Sequence, residues 1–341
     1  MPASPYRTDV AIIGAGPVGL FAIFECGMLR FKCHVVDALD MIGGQCIALY
    51  PEKPIYDIPG HPRIEAAALV AQLEAQAAPF APAYHLGCRI ESLARNGDGR
   101  FILGGSGGLT IDAAAVIVAA GVGAFGPNRP PIPGIERYEG KSVFYLVKRR
   151  EDFRGKRVII AGGGDSAVDW ALSLAEVAAK VTVVHRRDKF RAAPESLRKL
   201  HALAATGKIE LVIPYQPADL EGSSTGRLEA VILRDLDGNT RRLEADVLLP
   251  FYGLAMSLGP IARWGLNLAR NHIAVDPSSC QTSAPGIFAI GDIAHYPGKL
   301  KLILSGFAEA ALAAHAIHPL VYPNEALHFE YSTTQGVPGL P

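Results

Sequence analysis

The chain has 341 residues, 49% hydrophobic and 19% charged, with 33 basic against 33 acidic side chains and a formal net charge of +0. That balance points away from nucleic acid and anionic membrane surfaces as partners, and at roughly 150 residues per domain the length predicts two domains. Its 36 glycines and 25 prolines are dispersed, so no stretch reads as low-complexity.

The first element is an apolar strand, Val10 to Ile13, followed by Gly14-Ala15-Gly16-Pro17-Val18-Gly19 and an apolar helical stretch. The apolar region 10–24 is short of the ~20 residues a membrane span needs and is broken by glycines and a proline. No basic segment precedes it, so we read strand, turn and helix rather than an anchor or a secretion signal. A cytoplasmic location is the default expectation. In such a turn Gly14 permits the tight bend, Gly16 lets the backbone approach a pyrophosphate, and Gly19 lets helix and strand pack closely. The helix N-terminus offers amide donors and a positive dipole end to phosphates. Asp37, eighteen residues after Gly19, is placed to accept hydrogen bonds from the hydroxyls of an adenosine ribose. This fingerprint alone fits NAD or FAD.

An amphipathic helix is expected over 64–78. A strand pair follows, 85–94 and 100–103, joined by Asn96-Gly97-Asp98-Gly99, and then a buried strand over 115–120 ending at Gly121. Residues 123–134 are rich in Gly and Pro, as a linker is. The same spacing then recurs: the strand Val158 to Ala161, the turn Gly162-Gly163-Gly164-Asp165-Ser166-Ala167, a helix over 166–179 and a strand over 181–184. Where the first copy has Asp37, the second reads His185-Arg186-Arg187-Asp188-Lys189-Phe190-Arg191. A carboxylate at that position repels a 2′-phosphate, whereas guanidinium forks bind phosphate oxygens and stay charged. NADP(H) is therefore expected over NAD(H), on Gly162, Gly164, Asp165, Ser166, His185, Arg186, Arg187 and Arg191.

Strands at 210–213 and 228–234, a turn at Asp237-Gly238-Asn239 with a strand after it, and a strand over 247–252 complete the second unit; the last ends in Gly253, echoing Gly121. Pro285 to Asp292 reads as a strand ending in Gly-Asp, and an Ala-rich helix spans about 306–317. Asp292 suits either a hydrogen bond to a flavin's ribityl chain or a helix cap. The simplest topology is an α/β fold of two Rossmann-like three-layer dinucleotide-binding domains, the second inserted into the first. Residues 1–121 and 254–341, with a tail from about 322, form one domain, and 122–253 form the other. Two dinucleotides in one chain point to electron transfer between them.

Five cysteines, Cys26, Cys33, Cys46, Cys88 and Cys280, are scattered and contain no C-x-x-C. They predict reduced thiols, with no disulfide framework and no metal site.

The segment from Ile42 to Asp57, with Gly162 to Trp170, His185 to Ala192, Ser257 to Pro260 and Gly291-Asp292, closely resembles the ferredoxin–NADP reductases of the thioredoxin-reductase-like type. The resemblance covers essentially the whole chain. It implies FAD in the first domain, NADPH in the inserted one, a ferredoxin or flavodoxin as electron partner, and domains that rotate about crossings near 122 and 253. It also implies a homodimer whose tail reaches toward the neighbouring subunit's flavin. By the same likeness Tyr50 lies on one face of the isoalloxazine ring and Tyr331 on the other, while Gln45, Ile90, Phe125 and Thr333 contact FAD beside Gly14, Gly16, Val18, Gly19, Asp37 and Asp292. Thioredoxin reductase keeps a C-x-x-C pair where this chain has Val143 to Lys148, and a disulfide relay needs two thiols, so that activity is not expected. Basic residues at Lys148, Arg149, Arg150, Arg154, Lys156 and Arg157, with Lys299 and Lys301, suggest a docking patch for an acidic ferredoxin. An NADPH oxidase, another FAD-dependent reductase, or a non-catalytic flavoprotein that senses NADPH stay open as alternatives at this point.

Overall fold

In the computed structural model, which describes residues 4–327, 334, 336 and 337, the chain divides into two units, Met1–Phe125 with Met256–Pro341 and Gly126–Ala255. At 124, 125, 127 and 254–256 the description covers the backbone and not the side chains. The first stretch of the chain runs β1 (Tyr6–Ile13), α1 (Pro17–Met28), β2 (Cys33–Val36), α2 (Gly44–Leu49), β3 (Pro54–Ile55), β4 (Ile64–Glu65), α3 (Ala66–Ala77), β5 (Ala83–His85), β6 (Ile90–Arg95), β7 (Phe101–Gly105) and β8 (Thr110–Val118). After β9 (Ala124–Pro127) come β10 (Arg157–Ala161), α4 (Asp165–Leu174), β11 (Lys180–Val184), α5 (Pro194–Ala205), β12 (Ile209–Val212), β13 (Gln216–Gly222), β14 (Leu228–Arg234), β15 (Thr240–Glu244) and β16 (Val247–Pro250). β17 (Leu254–Ser257), β18 (Leu268–Ala269), β19 (His272–Ala274), β20 (Ile287–Ala289), β21 (Ala294–His295) and α6 (Ile303–Val321) complete it.

The core strand of the first unit is apolar on both faces, as a strand covered on both sides must be. Val10 and Ile12 of β1 face α1, α3 and α6, with Leu20, Ile23, Leu69, Leu73 and Ile317. Ala11 and Ile13 face the opposite layer, where Leu258, Ile261, Leu266 and Ile273 pack. That layer is built from short strands and a 3₁₀ turn (Gly259–Arg263), not from helices. The sheet runs β5-β2-β1-β8-β7-β6, parallel through β8 and antiparallel beyond it. β8 is shared: its first half pairs with β7, its last residues with β20 in parallel register, Ile287 opposite Val116. Arg100 ties this meander to β1. Its Nε donates to Asp112 Oδ1 at 2.5 Å and its Nη2 donates to the Thr8 carbonyl at 2.6 Å.

The second unit repeats the plan with a smaller sheet, β12-β11-β10-β16, all parallel. Ile159 and Ala161 face the antiparallel β13-β14-β15 sheet through Val231, Leu233 and Leu220. Arg157 at the start of β10 is clamped by Asp246, which accepts from both its backbone amide (2.8 Å) and its guanidinium (2.8 Å).

Several boundaries differ from the sequence reading. His85 belongs to β5 and pairs with Val36 of β2, so the hairpin starts only at Ile90. The Asn96 turn does close it, with the side-chain carbonyl accepting from the amides of Asp98 and Arg100. α4 stops at Leu174, because the following residues turn to give the Val177 carbonyl to the Gly155 amide. α6 is longer than expected and runs from Ile303 to Val321. Among the elements without an expectation are β13, and α5, which starts with Pro194 at its first position and Glu195 in its first turn.

Arg100 and Asp112 are only 19% and 17% exposed. Arg100→Met should lower the unfolding free energy by about 2 kcal/mol, since it strands a half-buried carboxylate and a carbonyl. Urea denaturation checks this, and an unchanged midpoint would show the tie to be idle.

Candidate functional site

Both glycine turns are built by one set of backbone contacts. Gly14 (φ 112°) donates its amide to the Val36 carbonyl at 2.8 Å, and Gly162 (φ 154°) donates to the Val184 carbonyl at 3.0 Å. The neighbouring strand then crosses close by: the Ala119 amide donates to Ile13 and the Phe251 amide to Ala161, each at 2.8 Å. A Cβ on Gly14 would lie 2.3 Å from the Ala119 carbonyl oxygen, and one on Gly162 would lie 2.6 Å from that of Phe251. A side chain fits at neither position. Gly19 is excluded from change by packing, since its Cβ would meet the Gly14 oxygen at 2.0 Å. Gly16 and Gly164 differ: in front of Gly164 nothing lies within 4 Å, and in front of Gly16 only the Gly44 Cα does, at 4.0 Å. This open space is what a phosphate group needs to reach the backbone.

In the first unit the turn opens on a cavity of about 550 Å³. Of the expected FAD contacts, Gly14, Gly16, Val18, Asp37, Gln45, Tyr50, Ile90 and Asp292 line it. Gly19 sits behind the turn. The Phe125 side chain, Tyr331 and Thr333 lie outside the described residues. The Asp37 carboxylate leans on the turn, accepting from the Ala15 amide at 2.7 Å and the Leu39 amide at 2.8 Å. Burial raises its pKa while those two amides pull it down. A carboxylate has about four acceptor sites, so two remain for a ribose. Gly43 donates to the Ala15 carbonyl at 2.8 Å, which docks α2 and its Gln45, Cys46 and Tyr50 against the turn. The Cys46 thiol is pushed up to about 11 by burial, and burial raises the Tyr50 hydroxyl too, with Cys46 and Asp292 adding to it. Both stay protonated. Asp292 is half-buried on the cavity wall in a 3₁₀ turn (Gly291–Ile293) and has no hydrogen-bond partner among the described residues. The capping alternative falls away, since α6 begins only at Ile303 with Leu302 as its cap.

The second turn opens on a cavity of about 570 Å³, lined by Gly162, Gly163, Gly164, His185, Arg186, Arg187, Lys189 and Arg191. No carboxylate pairs with these four cations among the described residues. The loop is hung on the turn by its backbone: the Arg191 amide donates to the Gly163 carbonyl at 2.6 Å. His185 is not a free ligand. Its ring lies where a Gly163 side chain would be, 2.4 Å from the ideal Cβ, and against Phe190 at 4.9 Å. Burial lowers its pKa, and Arg186, Arg187 and Arg191 add to that. Asp165 and Ser166 are exposed and do not line the cavity; Asp165 accepts from the Ala193 amide at 2.8 Å. Sequence reasoning missed Tyr215, Gln216 and Phe251 on this cavity and Arg89 on the first. The signal for Phe251 was its place at the end of the strand before Gly253.

The basic run is largely neutralised. Arg149, Arg150, Arg154 and Arg157 are answered by Asp152, Glu151, Glu176, Glu244 and Asp246. Lys299 is buried against Glu309, and Lys301 donates to His272 Nε2 at 2.8 Å. Among the described residues no His, Cys, Asp and Glu cluster is placed for a metal, and no helix is long and apolar enough to cross a membrane.

The family profile described as pyridine nucleotide-disulphide oxidoreductase matches residues 8–316. The chain is 66% identical over 333 residues to the ferredoxin–NADP reductase of Paramagnetospirillum magneticum, with 98% of each chain covered. It is 63% identical over 333 residues to that of Granulibacter bethesdensis, with 97% of this chain and 95% of the relative covered. Among solved structures, Lactococcus lactis thioredoxin reductase shares the fold at a TM-score of 0.79 and 24% identity, with 93% of this chain and 99% of that one covered.

The histidine gives a pH prediction. With its folded pKa below the unfolded value of about 6.5, neutral His185 adds stability that is full above that value and is lost as pH falls toward the lowered one. Melting curves between neutral and mildly acidic pH should fall less steeply for His185→Gln than for the natural protein. Parallel curves would mean the imidazole is not held neutral.

Proposed function

This chain belongs to the pyridine nucleotide-disulphide oxidoreductase family, and from that premise we propose that it is a ferredoxin–NADP reductase using FAD and NADPH. The observation that carries the reading is one chain with two alike glycine turns of opposite electrostatics: Asp37 beside the first, and around the second four cations with no carboxylate partner among the described residues. Bound in the first cavity, FAD would supply hydride acceptance from NADPH and one-electron donation to an iron–sulfur or flavodoxin partner.

The residues present fit both groups. In the first cavity α1 begins at Pro17, so its first unbonded amides include Val18 and Gly19, aimed past the open face of Gly16. These suit a pyrophosphate. Asp37 keeps acceptor capacity for the adenosine ribose, and the unpartnered Asp292 suits a hydroxylated chain. Tyr50, held neutral, offers a ring face for stacking. In the second cavity Arg186 and Arg187, with Arg191 and Lys189, hold the 2′-phosphate, while Gly164 admits the pyrophosphate. His185 supports the turn from beneath, and Gly163 is glycine to make room for it. No side chain is needed as acid or base. The proposal includes a homodimer in the cytoplasm, with Tyr331 and Thr333 of the tail at the flavin; five buried thiols without a disulfide support a reducing location.

Rapid mixing tests the reading. NADPH should bleach the yellow protein, and ferredoxin should restore the colour. A colourless protein that cannot be loaded with FAD, or one whose colour ignores NADPH, would defeat it. Bleaching that only oxygen reverses would favour an oxidase. In steady state, Arg186→Ala with Arg187→Ala should raise KM for NADPH by about 10- to 100-fold with kcat nearly kept, because the lost contacts act on binding alone. NADH kinetics should hardly move; equal losses with both coenzymes would place the 2′-phosphate elsewhere.

A further inference from the structure

One buried ion pair lies outside everything used so far. Glu309 sits on the inner face of α6, 2% exposed, among Ala310, Ala313 and Ala314. A carboxylate in such a place needs partners, and Glu309 has three. Oε2 accepts from the Gly291 amide at 2.7 Å. Oε1 accepts from the Tyr296 hydroxyl at 2.7 Å and from the Lys299 ammonium, whose side chain is 4% exposed. The Cys280 thiol is close to the pair and, pushed up to about 12 by burial and Glu309, adds no charge.

A buried ion pair adds little net stability over apolar residues of similar shape. Its geometry shows another use. The three partners lie on one segment, 291–299, whose first two residues, Gly291 and Asp292, line the first cavity. Gly291, in the left-handed region at φ 73°, immediately precedes Asp292. Lys299 precedes Lys301, which lines the same cavity and is steadied by His272. Gly306 of α6 fixes the other side, since the Val18 side chain fills the place of its Cβ at 2.3 Å. We propose that Glu309 is a positioning residue: with Lys299 and Tyr296 it clasps the 291–301 segment to α6 and thereby sets Asp292 and Lys301 against the flavin. This deepens the FAD reading above and rests on it.

The test is release of FAD from the holoenzyme, followed by the fluorescence that free flavin regains, together with the visible spectrum of the bound form. Glu309→Gln keeps the shape but removes the charge; release should be about ten-fold faster, and the flavin bands should shift. Tyr296→Phe should act in the same direction and less. In a mutant cycle, Glu309→Gln should add little once Asp292→Ala and Lys301→Ala are both present, because it works through those two residues. If Glu309→Gln does not accumulate folded, Glu309→Met with Lys299→Met, which strands no charge, carries the same cycle. Additive effects, an unshifted spectrum with unchanged release, or an apolar pair that holds FAD like the natural protein would each overturn the clasp. Natural protein that never holds flavin would instead sink the FAD reading and the clasp with it.

Discussion

The contact on which both halves depend is the crossing of a glycine by the end of a neighbouring strand. The carbonyls of Ala119 and Phe251 occupy the positions that side chains at Gly14 and Gly162 would take. The first turn of each helix is thereby pulled against the sheet, with its unbonded amides at the carboxyl ends of the parallel strands. In open α/β sheets ligands bind at this edge. The packing that holds this geometry is apolar on both faces of β1 and β10, so the position of the site is a by-product of burying Val10 to Ile13 and Val158 to Ala161.

From a shared backbone the two turns diverge by electrostatics. The residue just after the second strand leans back on the middle residue of the turn in both copies. In the first, Asp37 takes the Ala15 amide. In the second, the imidazole of His185 rests on Gly163 and leaves the field to the cations after it. The first arrangement offers acceptors to hydroxyls, the second donors to phosphate oxygens. The two turns thus share backbone contacts and differ in the charge beside them.

Much of this was legible in the chain. The spacing of Gly14, Gly16 and Gly19, and its recurrence from Gly162, located both turns and the strands and helices around them, because short-range backbone requirements write themselves as glycines and apolar runs. The strand that crosses behind each glycine turn, β8 or β16, was visible as a run ending in Gly121 or Gly253. What stayed hidden depended on distant partners. His85 read as part of a hairpin, yet pairs with β2 across fifty residues of chain. Arg149, Arg150, Arg154 and Arg157 read as a cationic patch because their carboxylates lie elsewhere, at Glu176, Glu244 and Asp246 as well as next door. Lys299 looked like a surface lysine, and only the fold shows its burial against Glu309. His185 lines the second cavity, and its place as a prop under Gly163 is a matter of shape that the sequence did not show.

The hydrogen bond from the Arg191 amide to the Gly163 carbonyl has a wider meaning for how such chains evolve. The cationic loop after the second strand hangs from the turn by main-chain atoms, which every amino acid possesses. The exposed side chains along it, Arg186, Arg187, Lys189 and Arg191, can be exchanged without removing that anchor, whereas His185 and the buried Phe190 are held by packing. The charge beside the second turn can therefore change while its main-chain anchor stays, and two alike turns in one chain can differ in electrostatics without a change of fold.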